Sequence, residues 1–105
     1  MVETLLVFTN MPDAASAQRL AEDLIESRFA ACVNILAPCR SVYRWQDKIE
    51  TANEVPLLIK VVASGYDALE AAIRARHPYE LPEIVAVTVS AGLPVYLDWV
   101  SQQCQ

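Results

Sequence analysis

The chain has 105 residues, enough for one domain and too few for two, so we expect a single domain over residues 1–105. Its net charge is −5 without a basic cluster, which makes nucleic acid and anionic membranes poor partners. The 54% apolar share exceeds the roughly 45–50% typical of soluble domains, and no uncharged run reaches the ~20 residues of a membrane helix; both indicate self-association.

The first third of the chain predicts a strand and a helix. Residues Val2–Thr9 are rich in β-formers and carry no basic leader, so they predict a strand and not a signal peptide. Asn10 or Asp13 could serve as the N-cap of the helix that follows. Residues at helical spacing then predict an amphipathic helix that continues to the last of them: Ala17, Leu20, Ala21, Leu24, Ile25 and Arg28.

The middle of the chain predicts a long β-hairpin. Residues 30–36 form a further strand that Pro38 breaks or bends, and residues 40–46 return as another, with a turn centred on Asp47 and Lys48. Residues 54–62 are apolar on both faces, which predicts a central strand or one covered twice. Pro56 has no N–H to donate, so we expect it at an edge or outside the main sheet.

The last third predicts a helix, a strand and a short closing helix. Ser64 and Asp67 have the spacing of a capping box, and the helix should end near Arg76 because Pro78 disfavours the α conformation at His77. Residues 83–90 read as a strand. In the short closing helix that follows, one face carries Tyr96, Trp99 and Val100.

The resulting order, βαββαβ plus a short helix, predicts an α+β ferredoxin-like sandwich. The hairpin is longer than a small four-stranded sheet needs. Tyr43, Trp45 and Pro56 should therefore project past the body and offer a docking arm to another subunit.

His77 is the only histidine in the chain, and two interpretations of it stay open. Its ring could satisfy a free carbonyl at the end of the helix, or it could bind a metal with ligands from elsewhere, such as Glu80 or Glu83. Lys60 also has two readings. It could reach solvent, either at a sheet edge or through a snorkelling stem, or pair with a carboxylate such as Glu83 in a cleft.

The three cysteines do not form a disulfide framework, because their number is odd and no C-x-x-C occurs. We expect Cys32 and Cys39 to be buried as small apolar groups and Cys104 to be exposed, in a reducing cytoplasm. Glycine-rich phosphate loops and the common hydrolase and metalloprotease motifs are also missing from the sequence, so we expect no enzymatic activity.

Several segments together resemble the CutA family of divalent-cation tolerance proteins, over essentially the whole chain. They are RFAACVNIL, SVYRWQDKIE, EVPLLIKV, RHPYELPEIVAV and YLDWV. The resemblance implies a ferredoxin-like homotrimer whose sheets join edge to edge between subunits. It also implies a cleft between subunits formed by the residues that match the family motifs: Trp45, Lys60, His77, Tyr79 and Glu83.

In that family, copper binding is attributed to a cysteine at the end of the first strand and two adjacent histidines. Thr9 and Arg76 stand at two of these positions here, which leaves His77 as the candidate ligand for copper or another divalent cation. The leading hypothesis is a homotrimer linked to divalent-cation tolerance. The alternatives are a small-ligand sensing module like the PII signalling proteins, a structural or anchoring trimer, and last an enzyme with His77 as general base.

Overall fold

The computed structural model describes residues 2–105, in which one antiparallel sheet carries helices on both faces. The elements along the chain are β1 (Thr4–Met11), α1 (Ala14–Glu26), β2 (Cys32–Ile35), β3 (Cys39–Trp45), β4 (Lys48–Val62), α2 (Tyr66–Arg76), β5 (Val85–Thr88) and α3 (Pro94–Gln103). The strand order is β2-β4-β1-β5, and β3 pairs with the far part of β4. This arrangement confirms the predicted ferredoxin-like α+β fold with a long hairpin and a short C-terminal helix.

Helix α1 begins and ends with defined caps. Asp13, one of the two predicted caps, accepts a hydrogen bond from the Ser16 backbone N–H at 2.7 Å. At the other end, the Phe29 N–H donates to the Leu24 carbonyl, and the Arg28 N–H donates to the Ile25 carbonyl. These two bonds form a Schellman motif, which places Arg28 in the left-handed region with φ 61°. The expectation that the helix continues to Arg28 was therefore wrong.

The core lies between one face of the sheet and helices α1 and α2. Its members are almost completely shielded from solvent and alternate along the strands: Val7, Leu57, Ile59 and Val61 from the sheet, with Leu24, Leu69 and Ile73 from the helices. Strand β4 pairs with β1 on one side and with β2 and β3 on the other. The prediction that this strand is central is confirmed.

Pro56 lies inside the main sheet, opposite Asn10 of β1, so the expectation of an edge position was wrong. Its carbonyl accepts from the Leu36 N–H on the side of β4 where β2 ends and β3 begins. The N and C=O of one strand residue point to the same side. The missing donor of Pro56 therefore faces the interruption between β2 and β3, where it breaks no ladder bond.

The second face of the sheet is also apolar but only partly covered. Helix α3 packs Val100 on Val62 at one end of this face. Farther along, Val85 and Val87 of β5 are each 50% exposed, beside the half-buried Phe8 of β1. The second face of the sheet is thus covered by α3 at one end and left open at β5 in the single chain.

The β3–β4 hairpin extends beyond the body of a molecule that measures 45 × 26 × 24 Å. Gln46 and Asp47 form its tip with φ of 50° and 66°, the backbone of a type I′ turn. The turn thus lies one residue earlier than predicted, and Lys48 already belongs to β4. Projection of Tyr43 and Trp45 on this arm is confirmed.

The two ends of α2 differ in how well the sequence predicted them. Residues Ala63–Gly65 form a 3₁₀ turn before the helix, and Gly65 is its N-cap without any side-chain hydrogen bond. The predicted capping box at Ser64 was therefore wrong. At the other end, the helix stops at Arg76 and His77 is extended, with φ −82° and ψ 134°, as Pro78 requires.

Candidate functional site

An open pocket of about 910 Å³ lies between the β3–β4 hairpin and the segment 78–83. The hairpin contributes one wall, through residues 41–45 of β3 and through Ala52 and Glu54 of β4. The residues that give the pocket its chemical character are Asn10, Tyr43, Arg44, Trp45, Glu54, Tyr79, Glu80 and Glu83. The volume falls in the range of small-molecule sites.

The structure brings together three of the five residues expected in a cleft: Trp45, Tyr79 and Glu83 all line this pocket. The contact of Glu83 within the chain is with the Asn10 amide, whose nitrogen lies 3.5 Å from a carboxylate oxygen. That the cleft lies between subunits stays a prediction.

His77 lies behind the pocket wall and fastens the segment 78–83 to β1. Its Nε2 lies 2.8 Å from the Asn10 carbonyl oxygen, and its Nδ1 accepts from the Tyr79 N–H at 3.2 Å. Because Nδ1 accepts, Nε2 carries the proton and the ring is neutral. Burial lowers the pKa of His77, which also favours the neutral form. The ring thus satisfies a carbonyl, as one of the two interpretations expected, although the carbonyl belongs to β1 and not to the helix.

Lys60 lies on the second face of the sheet, away from the pocket. Its ammonium donates to the Asn34 side-chain oxygen at 2.6 Å and lies 3.9 Å from the Cys32 sulfur. Lys60 is opposite Leu6, four residues from Asn10, so roughly 13 Å of strand separates it from the region of Glu83. An edge position for Lys60 is excluded because β4 is central, whereas its half-buried stem and its ammonium on the exposed Asn34 amide agree with a snorkelling side chain. Pairing with a carboxylate across a cleft between subunits stays a prediction.

Glu54 is the pocket residue that the sequence reasoning missed. It is 8% exposed and is the only carboxylate residue among the buried residues of the described chain. Tyr79 faces it, and burial together with this neighbouring carboxylate raises the pKa of the Tyr79 phenol to about 12. A signal was available. A turn at Gln46 and Asp47 fixes the hairpin register, which pairs Glu54 with Cys39 and puts it on the same face as Tyr43.

The residues considered as metal ligands are dispersed. Thr9 is fully buried in the core, and Arg76 points to α1, where its guanidinium lies 3.8 Å from Asp23. Cys32 is half-buried, Cys39 is exposed, and Cys104 is half-buried against Val100; the expected burial of Cys39 and exposure of Cys104 were wrong. Among residues 2–105, no three histidine, cysteine or acidic side chains lie close enough together to hold a metal ion.

Comparison with known proteins identifies relatives along almost the whole chain. The family model described as CutA1 divalent ion tolerance protein matches residues 5–103. The divalent-cation tolerance protein CutA of Pectobacterium atrosepticum is 41% identical over 101 residues, which cover 96% of this chain and 92% of that protein. No helix within residues 2–105 combines the length and the apolar composition that crossing a membrane requires.

Solved structures agree with this assignment. The crystal structure of CutA from Xylella fastidiosa superimposes with a TM-score of 0.94 at 45% identity, covering 97% of this chain and 98% of that one. The structure described as PII-like protein CutA from Nostoc gives a TM-score of 0.90 at 36% identity, with 96% and 97% covered. With a family model that spans residues 5–103 and relatives of this similarity, the chain belongs to the CutA1 divalent ion tolerance family.

Proposed function

We propose that this protein acts as a homotrimer in divalent-cation tolerance, with copper among the cations concerned. The observation that carries this proposal is membership of a family named for divalent-ion tolerance, through a match that spans residues 5–103. The proposal assigns no catalytic step to the chain. It places the protein in the reducing cytoplasm, a location that its three free cysteines support.

The open apolar face of the sheet supports self-association. Val85 and Val87 are half exposed on a sheet whose opposite face is fully packed, and the apolar side chains Val42 and Ile49 of the hairpin are 67% and 71% exposed. Exposed apolar surface of this extent is typical of an interface between subunits. Native mass spectrometry should therefore give about 35 kDa, three times the chain mass of 11.6 kDa.

A charge placed on that face should dissociate the assembly. We expect Val87→Glu to shift the mass toward that of one chain, because a carboxylate would be buried without a partner. Ala71→Glu, on the exposed side of α2, serves as the matched control and should leave the mass unchanged. A wild-type protein that stays monomeric at micromolar concentration would contradict the homotrimer.

Direct copper binding is tested by competition. Reduced wild-type protein and His77→Ala are titrated with Cu(I) and Cu(II) against a chelator of known affinity. Binding that the variant loses would make His77 a ligand, at the cost of its hydrogen bond to Asn10 or Tyr79. Binding that survives the change points to the cysteines. If wild type cannot compete with the chelator, copper tolerance does not involve tight binding to this protein.

The pocket favours a second candidate function, the sensing of a small ligand. The pocket has a volume of about 910 Å³, which is in the range of small-molecule sites. Its lining includes aromatic rings and carboxylates that could bind such a molecule. A relative at 36% identity is described as PII-like. A thermal-shift screen of metabolites tests this function, because a ligand that binds only the folded state raises the melting temperature.

A further inference from the structure

Within residues 2–105, the buried Glu54 side chain of the pocket forms no ion pair. Glu54 is 8% exposed, and within residues 2–105 the only ion pair joins Arg76 to Asp23. Burial lowers the pKa of His77 more than the Glu54 carboxylate raises it, and the ring is neutral in the observed hydrogen-bond arrangement. Tyr79 supplies a hydrogen bond to Glu54 but no positive charge, so a cation that enters the pocket meets a buried carboxylate group that forms no ion pair.

Among the charged groups that line the pocket, carboxylates outnumber cations, and aromatic rings lie beside them. Glu80 and Glu83 add two carboxylates on the segment 78–83, against the one guanidinium of Arg44 on the hairpin. Tyr43 and Trp45 of β3 lie on the same face of the hairpin as Glu54 of β4, nearer to its tip. Their side chains are 45% and 36% exposed. Aromatic faces beside a carboxylate attract ammonium and guanidinium groups through the ring quadrupole and the negative charge together.

The geometry suits an organic cation better than a metal ion. A divalent metal needs several oxygen or nitrogen ligands within about 2–2.6 Å, and the described residues offer no such group of three. A pocket of about 910 Å³ instead admits a molecule with a carbon skeleton. Tyr79, with a pKa of about 12, stays a neutral hydroxyl at pH 7 and so leaves the negative charge on the carboxylates.

We propose that this pocket binds a small organic cation, an alkylammonium or alkylguanidinium compound, whose charged group pairs with Glu54 and packs against Trp45 and Tyr43. This inference rests on the second candidate function, small-ligand sensing, and specifies the chemical class of the ligand. It is independent of the copper hypothesis, since it uses neither His77 nor a cysteine.

The test is an NMR titration of the assembled full-length protein in phosphate buffer, since amine buffers would compete. The probes are butylammonium and butylguanidinium, with 1-butanol and butyrate as neutral and anionic analogues of the same chain length. We expect the two cations to shift the Trp45 indole and Tyr79 amide signals, and the two analogues to leave them unchanged. Added salt should weaken the binding, because part of the attraction is electrostatic.

Glu54→Gln should weaken binding of both cations roughly tenfold or more, because a charge-assisted hydrogen bond becomes a neutral one. The matched control is Glu50→Gln, a change of the same kind on the same strand and face but outside the pocket lining. Its dissociation constants should equal those of wild type.

Two results would overturn the proposal: no shift with either cation, or equal weakening by Glu54→Gln and Glu50→Gln. The metabolite screen separates this failure from that of the parent function. If neutral or anionic metabolites bind and the cations do not, ligand sensing stands and the cationic ligand is wrong. If nothing in the screen binds either, both are wrong.

Discussion

Thr9 offers the sharpest test of how the core is built. It is fully buried on the core face of β1, opposite Leu57, and its hydroxyl has no hydrogen-bond partner. A buried hydroxyl without a partner costs about 1–3 kcal/mol in mutational studies of proteins. Thr9→Val removes the hydroxyl, keeps the branched shape and adds an apolar methyl group. We therefore expect the free energy of unfolding to rise by about 1–2 kcal/mol.

The measurement is urea denaturation at one fixed protein concentration, since subunit association contributes to the stability of an oligomer. With urea m-values of about 1–3 kcal/mol/M, the midpoint should rise by roughly 0.3–2 M. Thr88→Val is the matched control: Thr88 is exposed on β5, on the face opposite to that of Val85 and Val87, and its replacement should change stability by less than about 0.5 kcal/mol. A Thr9→Val protein no more stable than the control would refute the reasoning.

Three further predictions concern single features of the fold. Burial lowers the pKa of His77, so its NMR titration, free of overlap from other histidines, should give a midpoint below 6.5. The stability that the neutral ring contributes should be complete above pH 6.5 and decline as the pH falls toward that midpoint. Arg28→Gly should stabilise the protein by about 0.5–1 kcal/mol, because φ 61° strains a residue with a side chain. Replacing Gln46 and Asp47 by Asn-Gly should stabilise the hairpin by about 1 kcal/mol in urea denaturation, since both residues have positive φ.

Each of these has its own control. His77→Gln should reduce the difference in melting temperature between pH 7.5 and 5.5, and an unchanged difference would show that the histidine does not cause it. Arg19→Gly, inside α1, should destabilise by about 1 kcal/mol; a loss of stability at Arg28 too would contradict the left-handed cap. For the hairpin, slower amide exchange in β3 should accompany the gain, and faster exchange would contradict it.

The fold was predictable where one local rule governed the chain. Alternating apolar residues on both faces of residues 54–62 indicated the central strand, and Pro78 fixed the end of α2 at Arg76. The rule failed where the environment decided the outcome. Arg28 continues the helical spacing but adopts the left-handed conformation that usually takes glycine. Pro56 sits in the main sheet because its missing donor faces the interruption between β2 and β3, a relation that requires knowledge of strand pairing.

The candidate site was predictable only in part, for a related reason. Trp45, Tyr79 and Glu83 were identified through the family resemblance, and all three line the pocket. Within the chain, the register places Lys60 beside Asn34, and its suggested partnership with Glu83 across a cleft between subunits stays a prediction. Glu54 was missed because its place in the pocket follows from the hairpin register, which puts it on the face of Tyr43, and not from the composition of β4.

The continuity of β4 has a mechanical consequence for the pocket. This strand of 15 residues pairs with β1 through residues 55–62 and with β3 through residues 48–54, so the hairpin wall continues directly from a strand of the core. The opposite wall, residues 78–83, belongs to no helix or strand, and the His77 ring ties its start to the main chain of β1. Strand pairing therefore holds one side of the pocket along its whole length, whereas side chains hold the other side at its two ends, through His77 and through the Glu83–Asn10 contact.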